Sequence, residues 1–162
     1  MPQPTALILD DDGTFARAAG QLAFSAGFRV QLAETLAEAR TFLARTRADL
    51  VLLDLQLPDG SGMDLLDDVD LADHGQVVIV TGRPSLESAT RAVSTPVIEY
   101  LVKPLDPAQL RRVMDRVAAR WRPAGPPSVD LSAVSGIVGN APQIRAVVDS
   151  VLRTGPTDAS VL

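Results

Sequence analysis

Asp49-Leu-Val-Leu-Leu-Asp54-Leu-Gln-Leu-Pro58-Asp-Gly60-Ser-Gly62 decides the fold. Leu50 to Leu53 is a short, unbroken apolar run, the pattern of a strand covered on both faces, as in a parallel sheet. The run stops on Asp54, and Pro58, Asp59, Gly60 and Gly62 supply turn chemistry directly after it. A carboxylate therefore stands at the carboxyl end of a central strand, where open α/β sheets place their ligand crevice. By itself, Asp54 is most economically a strand-closing residue. A second apolar run, Thr5 to Leu9, also ends in acid, at Asp10, Asp11 and Asp12. The pattern predicts that these carboxylates meet.

Outward from these two strands the chain alternates strand and helix. A helix from about Phe15 to Ala26 carries Phe15, Ala18, Ala19, Leu22 and Ala26 on one stripe, with Gly27 placed to cap it. Phe28 to Ala33 reads as a strand, and Leu36 to about Arg45 as a helix with Leu36, Ala39, Phe42 and Leu43 inward. Met63 to Leu71 follows as a helix with Leu65, Leu66 and Val69 inward. Val77 to Val80 is a fourth buried strand, ending at Thr81-Gly82, and Ser85 to Val93 a weaker helix. Val97 to Leu101 is the fifth strand, broken by Lys103-Pro104. Asp106-Pro107 supplies the N-cap and first-turn proline of a last helix, whose stripe is Leu110, Val113, Met114, Val117 and Trp121. Parallel neighbours need crossover helices, so the pattern predicts a doubly wound, five-stranded parallel α/β sheet with helices on both faces. Right-handed crossovers make the flavodoxin-like order 2-1-3-4-5 the economical one.

Past Trp121 the character changes. Residues 122–135, opening Arg122-Pro-Ala-Gly-Pro-Pro-Ser128, form a linker by composition. Residues 136–162 begin a fresh helix, with Ile144, Val147, Val148, Val151 and Leu152 on one face. That piece is too short to bury its own stripe and reads as the front edge of a second, truncated domain.

Composition narrows the chemistry. The 162 residues are 46% apolar and contain no cysteine and one histidine, His74. Thiolate zinc sites, iron–sulfur clusters, disulfides and His-dependent triads are thereby set aside. The amino terminus has no basic region or signal-length apolar run, and no segment reaches membrane-spanning length, which predicts a soluble cytoplasmic chain without a membrane partner. Residues 1–121 hold 12 basic and 17 acidic side chains, which accounts for the formal charge of −5. Such a surface repels a phosphate backbone. All basic residues but one are arginine; the exception is Lys103, where a compact point charge serves better than a guanidinium fork.

In the expected strand order the first and third strands are neighbours, which brings Asp10, Asp11 and Asp54 together. Two carboxylates ~5 Å apart repel by roughly 3 kcal/mol at an effective dielectric of 20. Such a cluster needs a proton or a cation. Oxygen ligands alone favour Mg²⁺. Phosphoryl chemistry gives the set a purpose: a metal offsets the charge of the incoming group while one carboxylate attacks. Thr81 and Lys103, at the ends of strands four and five, can reach the same phosphoryl oxygens, and Gly82 leaves access to Asp54. Each fragment taken singly is an ordinary cap or turn. Their joint placement at four strand ends points to one pocket.

Leu7-Ile-Leu-Asp-Asp-Asp12, Leu52-Leu-Asp-Leu-Gln-Leu-Pro-Asp-Gly60, Val80-Thr-Gly82 and Tyr100-Leu-Val-Lys-Pro104 together resemble the receiver domain of two-component response regulators, over about residues 5–121. The resemblance implies that Asp54 accepts a phosphoryl group from a sensor histidine kinase or a small donor. It implies that Asp10, Asp11, Asp54 and the Gln56 carbonyl hold Mg²⁺, with Asp12 the helix-start residue beside them. Thr81 and Tyr100 match the family's switch pair, and Gln56 and Arg83 fall where the family tunes dephosphorylation. The domain would be a phosphoacceptor that assists its own phosphorylation and dephosphorylation. Receivers commonly pair through the face of the fourth and fifth helices, so the resemblance leaves a homodimer through that face open. Two departures bear on that face: Ser94-Thr-Pro96 replaces a small pair, and Glu99 stands where Asp is common.

Ile137-Val-Gly-Asn-Ala-Pro142 and Pro156-Thr-Asp-Ala-Ser-Val-Leu162 resemble the opening of the AAA+ ATPase domain of sigma-54-dependent activators. The resemblance implies transcription regulation, with DNA and RNA polymerase reached only through domains absent here. No phosphate-binding loop G-x-x-x-x-G-K-[ST] occurs in the chain. Three other readings compete. A haloacid-dehalogenase-like phosphohydrolase needs an acid two residues after its nucleophile, and Gln56 occupies that place. A nucleotide- or flavin-binding domain would use Gly60-Ser-Gly62-Met-Asp-Leu65, which lacks a third fingerprint glycine. A receiver-like binding module that is never phosphorylated would have no need of the intact acid set.

Overall fold

The computed structural model describes residues 2–68, 70 and 73–123. The expected inward placement of Val69, the end of the third helix at Leu71, the linker from residue 124 and the helix bearing Ile144 to Leu152 lie outside those residues. The chain runs β1 (Thr5–Leu9), α1 (Gly13–Ser25), β2 (Arg29–Ala33), α2 (Leu36–Leu43), β3 (Leu50–Leu53), β4 (Gln56–Leu57), β5 (Gly60–Ser61), α3 (Gly62–Asp68), β6 (Gln76–Thr81), α4 (Leu86–Val93), β7 (Val97–Val102) and α5 (Pro107–Arg120). Five strands form one parallel sheet in the order β2-β1-β3-β6-β7, the expected 2-1-3-4-5 when the two short strands are left aside. Those two pair antiparallel in the turn after Asp54.

Alternation along each strand divides the core into two layers. Leu7, Leu9, Val51, Leu53, Val77 and Ile79 face α2, α3 and α4, through Leu36, Ala39, Leu43, Met63, Leu65, Leu66 and Ala92. Ala6, Ile8, Leu50, Leu52, Val78 and Val80 face α1 and α5, through Ala16, Ala19, Ala23, Leu110, Val113, Met114 and Val117. β1 and β3 carry no polar side chain on either face beyond Thr5, which is why both read as continuous apolar runs.

Boundaries differ from the sequence reading where side chains and end groups settle them. α1 starts at Gly13, because the Asp12 carboxylate accepts from Thr14 N and Phe15 N. Phe28 is not part of β2; its N–H donates to the Ala23 carbonyl as α1 closes, and its ring is buried. α2 ends at Leu43, with Ala44 as its C-cap. Ser85 caps α4 and shares a reciprocal capping box with Ser88. β7 continues to Val102, and α5 stops at Arg120, after which Trp121 is extended.

Asp59 has a role the sequence did not indicate. Its carboxylate accepts from Leu36 N at 2.8 Å and Ala37 N at 3.1 Å, so a loop residue caps α2 from 23 positions away. Those two donors hold the Asp59 carboxyl below its ordinary value of 3.8. Among the described residues no helix is long and apolar enough to cross a membrane.

Candidate functional site

Register delivers the acids. Leu9 pairs with Leu53 across β1 and β3, so Asp10 and Asp54 leave the sheet side by side. The ladder continues past the strand ends: Asp54 N donates to the Leu9 carbonyl at 2.9 Å, and Asp10 N to the Ala33 carbonyl at 3.0 Å. On the other side, Thr81 pairs with Val102, and Lys103 N donates to the Thr81 carbonyl at 2.8 Å. That bond carries the β6–β7 ladder one residue past its last pair. The Lys103–Pro104 peptide is cis.

The four groups converge. Asp10, Asp11 and Asp54 each present a carboxylate oxygen within 4.8 Å of the others, so together they could hold a metal ion. Lys103 Nζ donates to Asp10 Oδ2 at 2.6 Å and stands 3.7 Å from Asp54 Oδ2. Asp10 is 1% exposed and Asp54 7%, whereas Asp11 is open to solvent. One ammonium faces three carboxylates, which leaves the pocket two charges negative when all are ionised.

Burial pushes the Asp10 carboxyl above its ordinary value, since desolvation penalises the anion. The hydrogen bond from Lys103, the bond from Asp12 N at 2.9 Å and the Lys103 charge oppose that rise, while the Asp54 charge adds to it. Gln56 N donates to Asp54 Oδ1 at 3.2 Å, which orients the second carboxylate.

Other predicted site residues are placed as follows. Thr81 is fully buried at the end of β6, where its Oγ1 accepts from Arg83 N at 3.2 Å. Tyr100 is half-buried against the α4 side of the core, and its hydroxyl meets Ser88 Oγ at 2.8 Å. Gln56 sits in β4 opposite Ser61, exposed. Gly82 and Arg83 are exposed at the mouth, and a Cβ added at Gly82 would meet nothing within 4 Å. The chain itself therefore makes no steric demand for glycine there.

Three participants escaped the sequence reading. Phe15, assigned to the core stripe, lies with its ring centroid 4.3 Å from Lys103 Nζ. Ser88 holds the Tyr100 hydroxyl; Ser85-x-x-Ser88 could have been read as a capping box, but not as a partner for Tyr100. Gly62 approaches the back of Asp54 so closely that a Cβ would stand 2.1 Å from its carbonyl oxygen. Its presence in the turn was legible, its reason was not.

A family model described as the response regulator receiver domain matches residues 6–115. The transcriptional regulatory protein ZraR of Klebsiella oxytoca is 29% identical over 158 residues, covering 96% of this chain and 36% of that protein. The response regulator protein PilR of Pseudomonas aeruginosa is 30% identical over 163 residues, with 99% and 36% covered. The chain thus spans about a third of the length of the curated relatives it matches. Among solved structures, a CheY-like receiver domain protein from Methanospirillum hungatei superposes with a TM-score of 0.63 at 26% identity, covering 74% of this chain and all of the other. The non-phosphorylated HemR receiver domain of Leptospira biflexa gives 0.66 at 26% identity, covering 76% of this chain and all of the other.

Proposed function

Since this chain belongs to the response regulator receiver domain family, we propose that Asp54 is the phosphoacceptor of a two-component system and that its phosphorylation controls a transcription-activating ATPase domain beyond the linker. One observation carries the reading: Lys103 Nζ lies 2.6 Å from Asp10 and 3.7 Å from Asp54, inside a cluster whose three carboxylates approach within 4.8 Å.

The donor set suits Mg²⁺. It consists of hard oxygen atoms alone, two of them on buried side chains, and its residual negative charge after Lys103 equals the charge of one divalent cation. Asp10, Asp11, Asp54 and the Gln56 carbonyl would hold the ion. When bound, it neutralises charge on the phosphoryl oxygens.

Every other part belongs to the chain. An Asp54 carboxylate oxygen attacks phosphorus; a P–O bond forms while the bond from phosphorus to the donor breaks, and the donor leaves with that electron pair. Gln56 N holds Asp54 Oδ1, leaving Oδ2 toward Lys103. The Lys103 ammonium offsets charge on the transferring group, and the Thr81 hydroxyl donates to it once the hydroxyl leaves Arg83 N. Tyr100 follows Thr81 as the second half of the switch. Gln56 and Arg83, both exposed at the mouth, set how readily water reaches the acyl phosphate. The donor is a sensor histidine kinase or a small acyl phosphate, and the receiver meets it in the cytoplasm. Leu86 and Val93 on α4, at 85% and 87% exposed, leave apolar side chains for a second copy on the fourth-helix to fifth-helix face. Residues 122–135 then link the receiver to 136–162, the front of a sigma-54-type AAA+ domain, and polymerase and DNA are reached through the C-terminal domains of such an activator.

The test is incubation with Mg²⁺ and acetyl phosphate, followed by intact mass. One phosphoryl group is expected on the wild type and none on Asp54→Asn. Uptake by Asp54→Asn, or none by the wild type with either acetyl phosphate or beryllofluoride, overturns the assignment.

A further inference from the structure

Lys103 is the sole lysine of the chain, and its side chain is only 19% exposed. An ammonium has three N–H donors and a strongly favourable hydration shell to replace. One donor goes to Asp10 Oδ2, and Asp54 Oδ2 lies beyond hydrogen-bond length at 3.7 Å. Another flank is covered by the face of Phe15, centroid 4.3 Å away. Phe15 stands in the first turn of α1, three residues after the capping Asp12, and its N–H is one of those the Asp12 carboxylate accepts from. The ring is thus tied to the same acidic turn that ends in Asp10.

We infer that Phe15 is a positioning residue for phosphoryl transfer: its ring face holds the Lys103 ammonium between Asp10 and Asp54 without neutralising it. This rests on the acceptor role proposed for Asp54. The choice of an aromatic side chain has a physical logic. A fourth carboxylate would hold the ammonium but cancel the charge that must face the phosphoryl oxygens. An aliphatic side chain would strip its water and return nothing. The negative face of a ring compensates part of the lost hydration and leaves the net charge intact. Phe15 does not touch the reacting atoms; it acts through Lys103.

The chain offers a clean test, because a single lysine means a single set of lysine resonances. In the full chain labelled with lysine bearing ¹³C at the ε carbon and ¹⁵N at Nζ, the Lys103 ε-methylene protons are expected upfield, in the shielding cone of the ring. Phe15→Leu should return them to the position of free lysine. The second measurement replaces Phe15 alone by mono-, di- and trifluorophenylalanine and follows phosphorylation by acetyl phosphate. Fluorination makes the ring more apolar while draining its negative face, so a packing role and an electrostatic role predict opposite trends. The rate at saturating donor is expected to fall stepwise with each fluorine and to end about two- to fivefold down, with Phe15→Leu similar and Phe15→Trp near wild type. A rate that stays level or rises with fluorination overturns the inference, as does a Lys103 methylene unmoved by Phe15→Leu. If the wild type takes up no phosphoryl group, the acceptor assignment has failed. The methylene shift still decides whether the ring holds the ammonium.

Discussion

Gly62→Ala is the most informative single perturbation of the backbone at Asp54, because its cost can be worked from the coordinates. The new Cβ would stand 2.1 Å from the Asp54 carbonyl oxygen and 3.0 Å from Leu53 Cδ1. An unstrained carbon–oxygen contact is about 3.3 Å, so one backbone must retreat by about 1.2 Å. Neither is free to do so. Gly62 N donates to the Leu55 carbonyl at 3.0 Å, and Asp54 N donates to Leu9 at 2.9 Å. A retreat of that size stretches one of these bonds past its useful length, which costs about 1 kcal/mol, while overpacking adds about 1–3 kcal/mol. The expected loss is about 2–4 kcal/mol in urea unfolding, followed through Trp121, the single tryptophan. Because the displaced backbone carries Asp54, the proposed acceptor, phosphoryl uptake should also slow, by up to about 100-fold for a shift near 1 Å. Gly82→Ala is the contrast. Its Cβ meets nothing within 4 Å, so stability should stay within about 0.5 kcal/mol of wild type, and any effect should fall on donor access. If Gly62→Ala unfolds at the wild-type urea concentration, the steric argument is refuted.

Further expectations follow from the charges and caps. Burial raises the Asp10 carboxyl, so protons compete with a metal over a range above the usual carboxylate one; Mg²⁺ affinity by calorimetry should weaken as pH falls through that range, and an affinity flat in pH refutes the ligand role. The depressed Asp59 carboxyl contributes stability that is present above its unfolded value of 3.8 and lost as pH falls through its lower folded value; Asp59→Asn should flatten that acid limb in circular dichroism melts. Ala48 N donates to His74 Nδ1 at 3.1 Å, and burial lowers the imidazole from 6.5. Its contribution is therefore complete above pH 6.5 and lost as pH falls through the lower folded value, and substitution by Gln should remove that slope. Tyr100→Phe should cost about 0.5–1.5 kcal/mol and Ser88→Ala more, because Ser88 also closes the capping box with Ser85. Their double mutant should cost no more than Ser88→Ala alone, since the hydrogen bond between them is shared.

The receiver family and its acidic cluster were legible because their carriers are short motifs at strand ends. Asp10, Asp54, Thr81 and Lys103 each follow or close an apolar run, and parallel pairing must bring such ends to one edge. Phe15 shows the limit of that reading: its spacing fits a core stripe equally well, and only the approach of Lys103 makes it a partner of the cation. Ser88 likewise looks like a capping residue until Tyr100 arrives from twelve positions away.

The sequence alone determined the strand order, the two-sided covering of the sheet and the identity of the acidic pocket. Those features depend on periodicity and on residue types at strand ends, which are local and additive along the chain. Tertiary structure decided which oxygen Lys103 bonds, how Asp59 caps a helix it does not belong to, and why Gly62 can be nothing larger. Those outcomes depend on distances between segments far apart in the chain, set to tenths of an ångström by packing that no local pattern encodes.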